Sequence, residues 1–448
     1  WMGDPSVQAL PEREFMVPPG PADEEAGLRR RSFLKLIGGT LGLAGLHAVL
    51  GCTVKPRGQI FPYVNQPEEI IPGKPLYYAT ALEFAGFGRG VLVETHEGRP
   101  TKVEGNPDHP ASLGATSVFE QAAILDLYNP ARSQAVMHEG EIATWEAFNA
   151  ALQTALAQLP PGGRGLHFLT GRITSPTVAA LWGDIRKRFP EARWHVNEPV
   201  DFAAATPRLH LEKANWVVSL GADFLTELPG SIRYAKDFVG VRNRRLVVLE
   251  SVPSATGTFA DERVVVTPAE MIEYAAALAR QWGVDVGAVS GKARRWAEAV
   301  VGSLGRRENG IVVAGGDQPE VVQQLAEAIN QKLRARERGI LGPAYTGEPM
   351  QEGSSLVELV TAMQKGEVEI LVMLGGNRVV TTPGSLDFTG ALEAVPLSIH
   401  TDLYYDETAR HSTWHLPLAH PFEAWGDTRA YDGTASIIQP LIEPLYGG

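Results

Sequence analysis

Three short glycine-rich segments have the residue types that could hold a phosphate group. Each directly follows an apolar run of the kind that forms a strand. They are Gly221-Ala222-Asp223, Gly315-Gly316-Asp317 and Gly375-Gly376-Asn377. Open parallel sheets bind ligands at the carboxyl ends of their strands, and helix N-termini there favour anions. None of the three is a complete G-x-G-x-x-G or phosphate-binding loop, and glycine also permits tight turns. The segments favour the turn interpretation and leave phosphate binding as its alternative.

Histidines and carboxylates cluster near the carboxyl terminus, where a metal is the competing interpretation. The cluster comprises His400, Asp402, Asp406, Glu407, His411, His415, His420 and Glu423. Zinc motifs with two histidines on one helical face need the H-E-x-x-H spacing, whereas His415 lies in a proline-broken strand. No closed ligand set emerges from the spacing. We expect these histidines to make buried or interface hydrogen bonds, and we expect no metal site.

Residues for nucleophilic or redox catalysis are sparse. Cys52 is the one cysteine among 448 residues, so the chain alone lacks the thiolates that an iron–sulfur cluster needs. No C-x-x-C-H motif for covalent haem occurs. Ser175 and Asp201 are possible metal ligands without a supporting motif. We therefore predict no catalytic residue in this chain.

Length and charge restrict the class of protein. At 448 residues and 44% hydrophobic composition, the chain is long enough for two or three domains with a sizeable core. The formal net charge of −12 opposes a nucleic-acid role, because phosphate binding needs a basic surface.

Two series of strand and helix signals would position the glycine-rich segments. The first has apolar runs at residues 165–170, 216–220 and 246–250 with a helix over 177–189, and the second has runs at 310–314, 369–374 and 396–400 with a helix over 319–335. Apolar runs that alternate with helices are typical of parallel sheets. The pattern predicts two doubly wound α/β units, at residues 136–305 and 306–448.

A small β-rich region, residues 77–135, precedes these units. Val91 to Glu94 and Thr101 to Glu104 are β-prone runs joined across Glu97-Gly98, which predicts a hairpin. Asn106-Pro107 and His109-Pro110 then force further turns, and a helix is predicted over residues 120–127.

The N-terminal segment, residues 1–52, has the layout of a twin-arginine export signal. Arg30, Arg31, Phe33, Leu34 and Lys35 precede an apolar run over residues 36–50, which is too short to span a bilayer comfortably. The alternative is a basic amphipathic helix on a cytoplasmic protein. Residues 49–52 resemble a lipobox, so Cys52 is either acylated or a lone thiol. We expect a peripheral location on the periplasmic side of the bacterial cytoplasmic membrane.

Residues 53–76 are rich in proline and lack periodicity. They predict an extended strap that runs over the body or over a neighbouring subunit.

The order of residues from the hairpin onward resembles the N-terminal part of large molybdopterin oxidoreductase subunits. The matching residues are Gly98 to Pro100, Lys102 to Pro107, His109-Pro110, Gly114, Gln121, Leu127-Tyr128 and Pro130 to Arg132. Later segments resemble the molybdopterin-like subunit of alternative complex III, the ActB type. Those segments are Val218 to Leu225, Glu250-Ser251, Ser254 to Asp261, Trp414 to Pro417, His420, Glu423, Trp425 to Asp427, Asp432 to Thr434 and Gln439 to Tyr446.

The resemblance implies the molybdopterin oxidoreductase fold with a vestigial cofactor crevice. By resemblance, that crevice contains Asn106, His109, Gly221, Asp223, Glu250, Gly375, Gly376 and Asn377. Catalytic relatives usually carry a cysteine cluster just before the hairpin, and residues 72–90 contain no cysteine. The bulky residues Arg378, Val379 and Val380 follow Asn377, where a cofactor would need room. We therefore expect no cofactor in this chain.

The function implied by the resemblance is a structural subunit of alternative complex III, a membrane assembly that oxidises quinol in an electron transport chain. Its expected partners are membrane quinol-oxidising subunits, multihaem cytochrome c subunits and a ferredoxin-like iron–sulfur portion, with no nucleic acid. Iron–sulfur clusters and haem c would lie on those parts, and the family sequence would be expected to continue past Tyr446. The alternative is the catalytic large subunit of a molybdenum bis-molybdopterin guanine dinucleotide oxidoreductase.

Overall fold

The computed structural model describes residues 67–199, 207–304, 309–343 and 355–446. The predicted export signal, Cys52 and Asp201 lie outside the described residues, as does the predicted strap up to residue 66.

Sixteen strands are present in the described residues. In chain order they are β1 Leu76–Phe84, β2 Phe87–His96, β3 Arg99–Gly105, β4 Met137–His138, β5 Glu141–Ile142, β6 Leu166–Thr170, β7 Arg193–Val196, β8 Trp216–Leu220, β9 Arg245–Glu250, β10 Glu262–Val265, β11 Gly310–Ala314, β12 Ile370–Leu374, β13 Leu397–Asp402, β14 Trp414–Pro417, β15 Gly426–Arg429 and β16 Ala435–Ile438.

The described helices connect these strands. They are α1 Val118–Leu127, α2 Trp145–Gln158, α3 Pro176–Arg188, α4 Ser231–Gly240, α5 Ala255–Thr258, α6 Pro268–Gln281, α7 Gly291–Leu304, α8 Glu320–Lys332, α9 Leu356–Gln364, α10 Arg378–Thr381, α11 Phe388–Glu393 and α12 Glu407–Arg410. None of the described helices has the length and apolarity needed to cross a membrane.

The N-terminal sheet confirms the predicted hairpin and adds a strand to it. Strands β1, β2 and β3 are antiparallel neighbours. Glu97 and Gly98 both adopt positive φ at the β2–β3 turn, as a two-residue type I′ hairpin requires. Helix α1 begins with a capping box, in which Ser117 and Glu120 satisfy each other's backbone N–H groups.

The four-stranded unit is a parallel sheet in the order β10-β9-β8-β11. Strands β8, β9 and β11 are buried on both faces, so their successive side chains pack into two different cores. Trp216, Val218 and Leu220 pack with α6, α7 and α8, whereas Val217 and Val248 pack against residues of α4 and Leu209–Leu211. The unit is therefore doubly wound, as the apolar runs predicted.

The seven-stranded unit has the order β5-β4-β14-β13-β12-β6-β7 and is parallel from β14 to β7. Leu371 and Met373 face α9 and α11, while Ile370 and Val372 face α2 and α3. This second doubly wound unit completes the predicted α/β fold class.

The assignment of strands to the two units differs from the prediction. Strand β6 was grouped with β8 and β9, but it pairs with β12. Strand β11 was placed in the second series, but it pairs with β8. The predicted boundary between residues 305 and 306 therefore falls within the four-stranded unit, which is inserted between β7 and β12. Apolar periodicity locates strands, but it carries no information about which strands pair across long connections.

Candidate functional site: two crevices at the strand ends

The first crevice lies at the carboxyl ends of β8 and β9. Gly221 follows β8 with φ +67°, and its N–H donates to the Leu249 carbonyl at 2.8 Å. A Cβ at this position would overlap the side-chain amide of Gln318, which lies over the glycine. The tight turn thus requires glycine here, and a side chain of the protein covers it.

The Asp223 carboxylate occupies the position where a phosphate would find backbone donors. It accepts hydrogen bonds from the N–H groups of Ala255 at 3.2 Å and Thr256 at 3.0 Å. The hydroxyls of Thr226 and Thr256 donate to the same carboxylate, each at 2.5 Å. The N–H groups that begin α5 are therefore satisfied by the protein's own anion.

Glu250 stands at the end of β9, where dinucleotide-binding sheets place a carboxylate for the ribose. It is buried, forms an ion pair with Arg263 and accepts a hydrogen bond from the Ser254 hydroxyl at 2.5 Å. Gly257 lies directly against it, since a Cβ there would overlap the carboxylate. Glu250 is thus engaged by its neighbours and covered by α5.

The surroundings of the first crevice are acidic. Burial raises the pKa of Glu227, and the nearby carboxylates of Asp223 and Asp317 raise it further. A phosphate placed here would meet the same repulsion.

The second crevice lies at the carboxyl ends of β12 and β13. Gly375 and Gly376 follow β12 with φ of +74° and +84°. The Gly375 N–H donates to the Thr401 carbonyl at 2.8 Å, and the Gly376 N–H donates to Asp402 Oδ2 at 2.7 Å. The Asn377 side chain donates to Glu407 and accepts from Thr408. As in the first crevice, a carboxylate of the protein accepts backbone N–H groups at the strand ends, and here one of the donors is a glycine.

Arg378 fills the space beside these glycines. It is 3% exposed, and its Nη1 donates to the Asn197 carbonyl at 2.7 Å. Burial lowers the pKa of Arg378, while Glu198 and Asp402 oppose that effect. The sequence predicted that Arg378, Val379 and Val380 would fill the space that a cofactor needs. Arg378 does so, whereas Val380 points outward and is 63% exposed.

Asn106 and His109 are held by the N-terminal region rather than by the strand ends. The Asn106 side chain accepts from the Asp108 N–H at 2.9 Å, and His109 Nε2 lies 2.9 Å from the Ser436 hydroxyl of the β15–β16 hairpin. Burial lowers the pKa of His109. The sequence-predicted crevice residues therefore form three groups: one at β8 and β9, one at β12 and β13, and one in the loop after β3.

Ser175, one of the possible metal ligands in the sequence, is the N-cap of α3. Its hydroxyl donates to Asp427, which also accepts from the Thr177 hydroxyl at 2.7 Å. Ser175 and Asp427 thus join α3 to the β15–β16 hairpin, which is a structural role.

The C-terminal histidines behave partly as predicted. His415 and His420 are buried, and burial lowers the pKa of each to about 4. His415 Nε2 lies 2.8 Å from the Ser133 hydroxyl, and His420 Nδ1 accepts from the Phe422 N–H at 3.1 Å. The sequence did not indicate that His400 and His415 would meet on adjacent strands, with their Nδ1 atoms 3.2 Å apart.

The two crevices do not fit a phosphate-bearing dinucleotide. Asp223 and Asp402 accept from the backbone donors, Glu250 is paired and covered, and Arg378 fills the second crevice. Binding would require those carboxylates to be displaced or to lie beside another anion, and both cost free energy.

Comparison with known proteins relates this architecture to one fold. The chain is 23% identical over 485 aligned positions to the menaquinone reductase, molybdopterin-binding-like subunit of Nitratidesulfovibrio vulgaris, and the match covers 93% of this chain and 69% of that protein. It superimposes on acetylene hydratase from Pelobacter acetylenicus with a TM-score of 0.59 at 11% identity, covering 82% of this chain and 67% of the other. No protein-family model matches the chain. Acetylene hydratase has the molybdopterin oxidoreductase fold. The resemblance seen in the sequence is confirmed: the chain is similar over most of its length to a molybdopterin-binding-like subunit, and it has the molybdopterin oxidoreductase fold.

Proposed function

We propose that this chain is a structural, cofactor-free subunit of a membrane-associated quinone oxidoreductase complex, of the alternative complex III type. One observation carries the proposal: in each crevice, a carboxylate of the chain itself accepts the hydrogen bonds that a cofactor phosphate would need. The printed name of the relative from N. vulgaris, a molybdopterin-binding-like subunit of a menaquinone reductase, supports a quinone-related respiratory role.

In this role the chain positions and docks its partners. We propose that its partners are the membrane quinol-oxidising subunits, the multihaem cytochrome c subunits and a ferredoxin-like iron–sulfur portion. The electrons would then pass through the redox centres of those parts, on the periplasmic side of the membrane that the twin-arginine sequence predicts.

The second candidate is a catalytic large subunit that holds a molybdenum cofactor. It is favoured by Gly221, Gly375 and Gly376, which retain positive φ at the strand ends where open sheets bind ligands.

A substitution at Asp223 separates the two candidates. Asp223→Asn in the native complex keeps the shape of the side chain and removes its charge, so a cofactor site would be altered while the fold is preserved. We expect quinol turnover, divided by the amount of assembled complex, to remain within about twofold of wild type, since docking does not depend on that charge. Asp317→Asn is the matched control in the same acidic region. A tenfold or greater change of turnover per assembled complex in either direction, seen for Asp223→Asn alone, would support the catalytic candidate instead.

A further inference from the structure

His400, Asp402 and Asp406 come together at the carboxyl end of β13. Each offers one ligand atom, and these atoms lie within 4.8 Å of one another. The distance from His400 Nδ1 to Asp406 Oδ1 is 3.8 Å. Strand β13 supplies His400 and Asp402, and the residue that caps α12 supplies Asp406.

The His400 ring has an unused nitrogen. The residue is fully buried, and its Nδ1 lies 3.2 Å from His415 Nδ1. Its Nε2 is also buried and has no hydrogen-bond partner in the described part of the chain. A buried polar atom without a partner is uncommon and calls for an ion or a water. A neutral imidazole carries its hydrogen on one nitrogen only, so when His400 Nδ1 donates that hydrogen to His415 Nδ1, His400 Nε2 keeps a free lone pair for a metal.

The carboxylates of Asp402 and Asp406 can also accept further bonds. Asp406 Oδ1 accepts from the Ala409 N–H at 2.9 Å, while its Oδ2 has no hydrogen-bond partner among the described residues. Asp402 accepts from the Gly376 N–H through Oδ2 and from the Tyr404 N–H at 3.4 Å through Oδ1, and each carboxylate oxygen can accept more than one bond.

The local charge favours a cation. Asp402, Asp406 and Glu407 act on this group, and Arg378 is the cation that acts on His400. Glu407 is exposed and has Arg410 as a nearby cation, so the local balance rests on the half-buried carboxylates of Asp402 and Asp406 against the Arg378 guanidinium. This balance leaves net negative charge, which a divalent ion would neutralise.

We propose that His400, Asp402 and Asp406 bind a divalent first-row transition metal, zinc above all, which fastens the end of β13 to α12. An imidazole with two carboxylates suits zinc, whereas magnesium and calcium prefer ligand sets made only of oxygen. Water would complete the coordination, because Asp406 is partly exposed, with 13% of its side chain accessible. The site departs from the metal-free expectation of the sequence, since pairing across β13 and β14 is what brings His400 to its neighbours.

The test is zinc binding by the full-length chain, purified without a histidine tag and stripped with a chelator. We expect one zinc ion per chain in a titration competed by a chromogenic zinc indicator, and a higher thermal unfolding temperature with zinc than without it. Asp406→Asn keeps the shape and the cap of α12, and it should weaken zinc binding at least about tenfold. His400→Ala should abolish binding, with far-ultraviolet circular dichroism confirming that this variant is folded.

The matched control is His411→Ala, which removes an exposed histidine that pairs with Glu393 at 2.8 Å and should leave zinc binding unchanged. The proposal is overturned if the wild-type chain binds less than a stoichiometric amount of zinc, or if Asp406→Asn binds zinc as tightly as wild type. It does not rest on the proposed function, because zinc content is measured independently of molybdenum and pterin.

Discussion

Single side chains decide which ligands the strand ends can accept. Asp223 and Asp402 accept the hydrogen bonds of nearby backbone N–H groups, and Arg378 fills the space beside Gly376. Burial also lowers the pKa of His109, His167, His400, His415 and His420, because ionisation in an apolar environment is unfavourable.

The lowered pKa of His167 predicts how the free energy of unfolding depends on pH. His167 is buried with Nδ1 2.9 Å from His195 Nε2, and its pKa is lowered to about 4 by burial first and then by His195 and Arg193. In the unfolded chain His167 takes up a proton as the pH falls through about 6.5, whereas in the folded chain it does so only near pH 4. Its contribution to the free energy of unfolding is therefore fully present above about pH 6.5 and is lost as the pH falls towards 4. His167→Gln should therefore reduce the loss of unfolding free energy between pH 7.5 and pH 5 by about 2 kcal/mol.

Urea unfolding of the full chain at the two pH values measures the effect. His411→Gln is the control, because it removes an exposed histidine and leaves the contact between His167 and His195 in place. An equal pH dependence in wild type and His167→Gln would show that folding does not lower the pKa of His167.

At the scale of elements, the sequence predicted the central strands of both parallel sheets and three of the described helices, but not which strands pair. The helices over residues 177–189 and 319–335 correspond to α3 and α8, and the apolar runs correspond to β6, β8, β9, β11, β12 and β13. The short strands β4, β5 and β7 were not predicted, since two to four residues carry too little periodicity. The pairing of β6 with β12 depends on contacts some 200 residues apart along the chain, which no local pattern contains.

Among the candidate site residues too, the sequence predicts local backbone features but not contacts between distant parts of the chain. Gly221 and Gly375 could be found from the sequence, because glycine after an apolar run marks a turn that needs positive φ. The roles of Asp223, Asp402 and Arg378 could not, since they depend on which donors the folded chain places beside them. The sequence also could not predict the contact that covers the edge strand β11. The Asn330 side chain of α8 accepts from the Val312 N–H at 2.9 Å and donates to the Val312 carbonyl at 2.7 Å.

The close approach of β3 to the loop that follows it gives a prediction at this scale. A Cβ on Gly105 would overlap backbone atoms of Gly114, which no side-chain rotation can relieve. Gly105→Ala should therefore lower the free energy of unfolding by more than about 2 kcal/mol.

The matched control is Gly183→Ala on α3, where a Cβ would meet nothing within 4 Å. Alanine is the better helix former, so this variant should gain about 0.5–1 kcal/mol. Urea unfolding of both variants compares them, and a stability equal to wild type for Gly105→Ala would mean that the loop is free to move away from β3.

Considered as a whole, the molecule keeps the architecture of a molybdopterin oxidoreductase while side chains of the chain occupy its crevices. The four-stranded unit is inserted into the seven-stranded unit, and each has a crevice at its strand ends. In the proposed function, a subunit with this construction would offer a large surface to its partners, and the redox centres would lie on those partners. The proposed zinc ion fits the same account, because it would stabilise one strand end without taking part in electron transfer.

The most direct test is the content of molybdenum, tungsten and pterin in chain purified natively within its complex, measured by elemental analysis and by the fluorescence of the oxidised pterin. The account predicts that all three remain at background while the chain is present in stoichiometric amount. One molybdenum or tungsten atom per chain together with pterin would contradict it, and would show that the crevice carboxylates move aside to admit a cofactor.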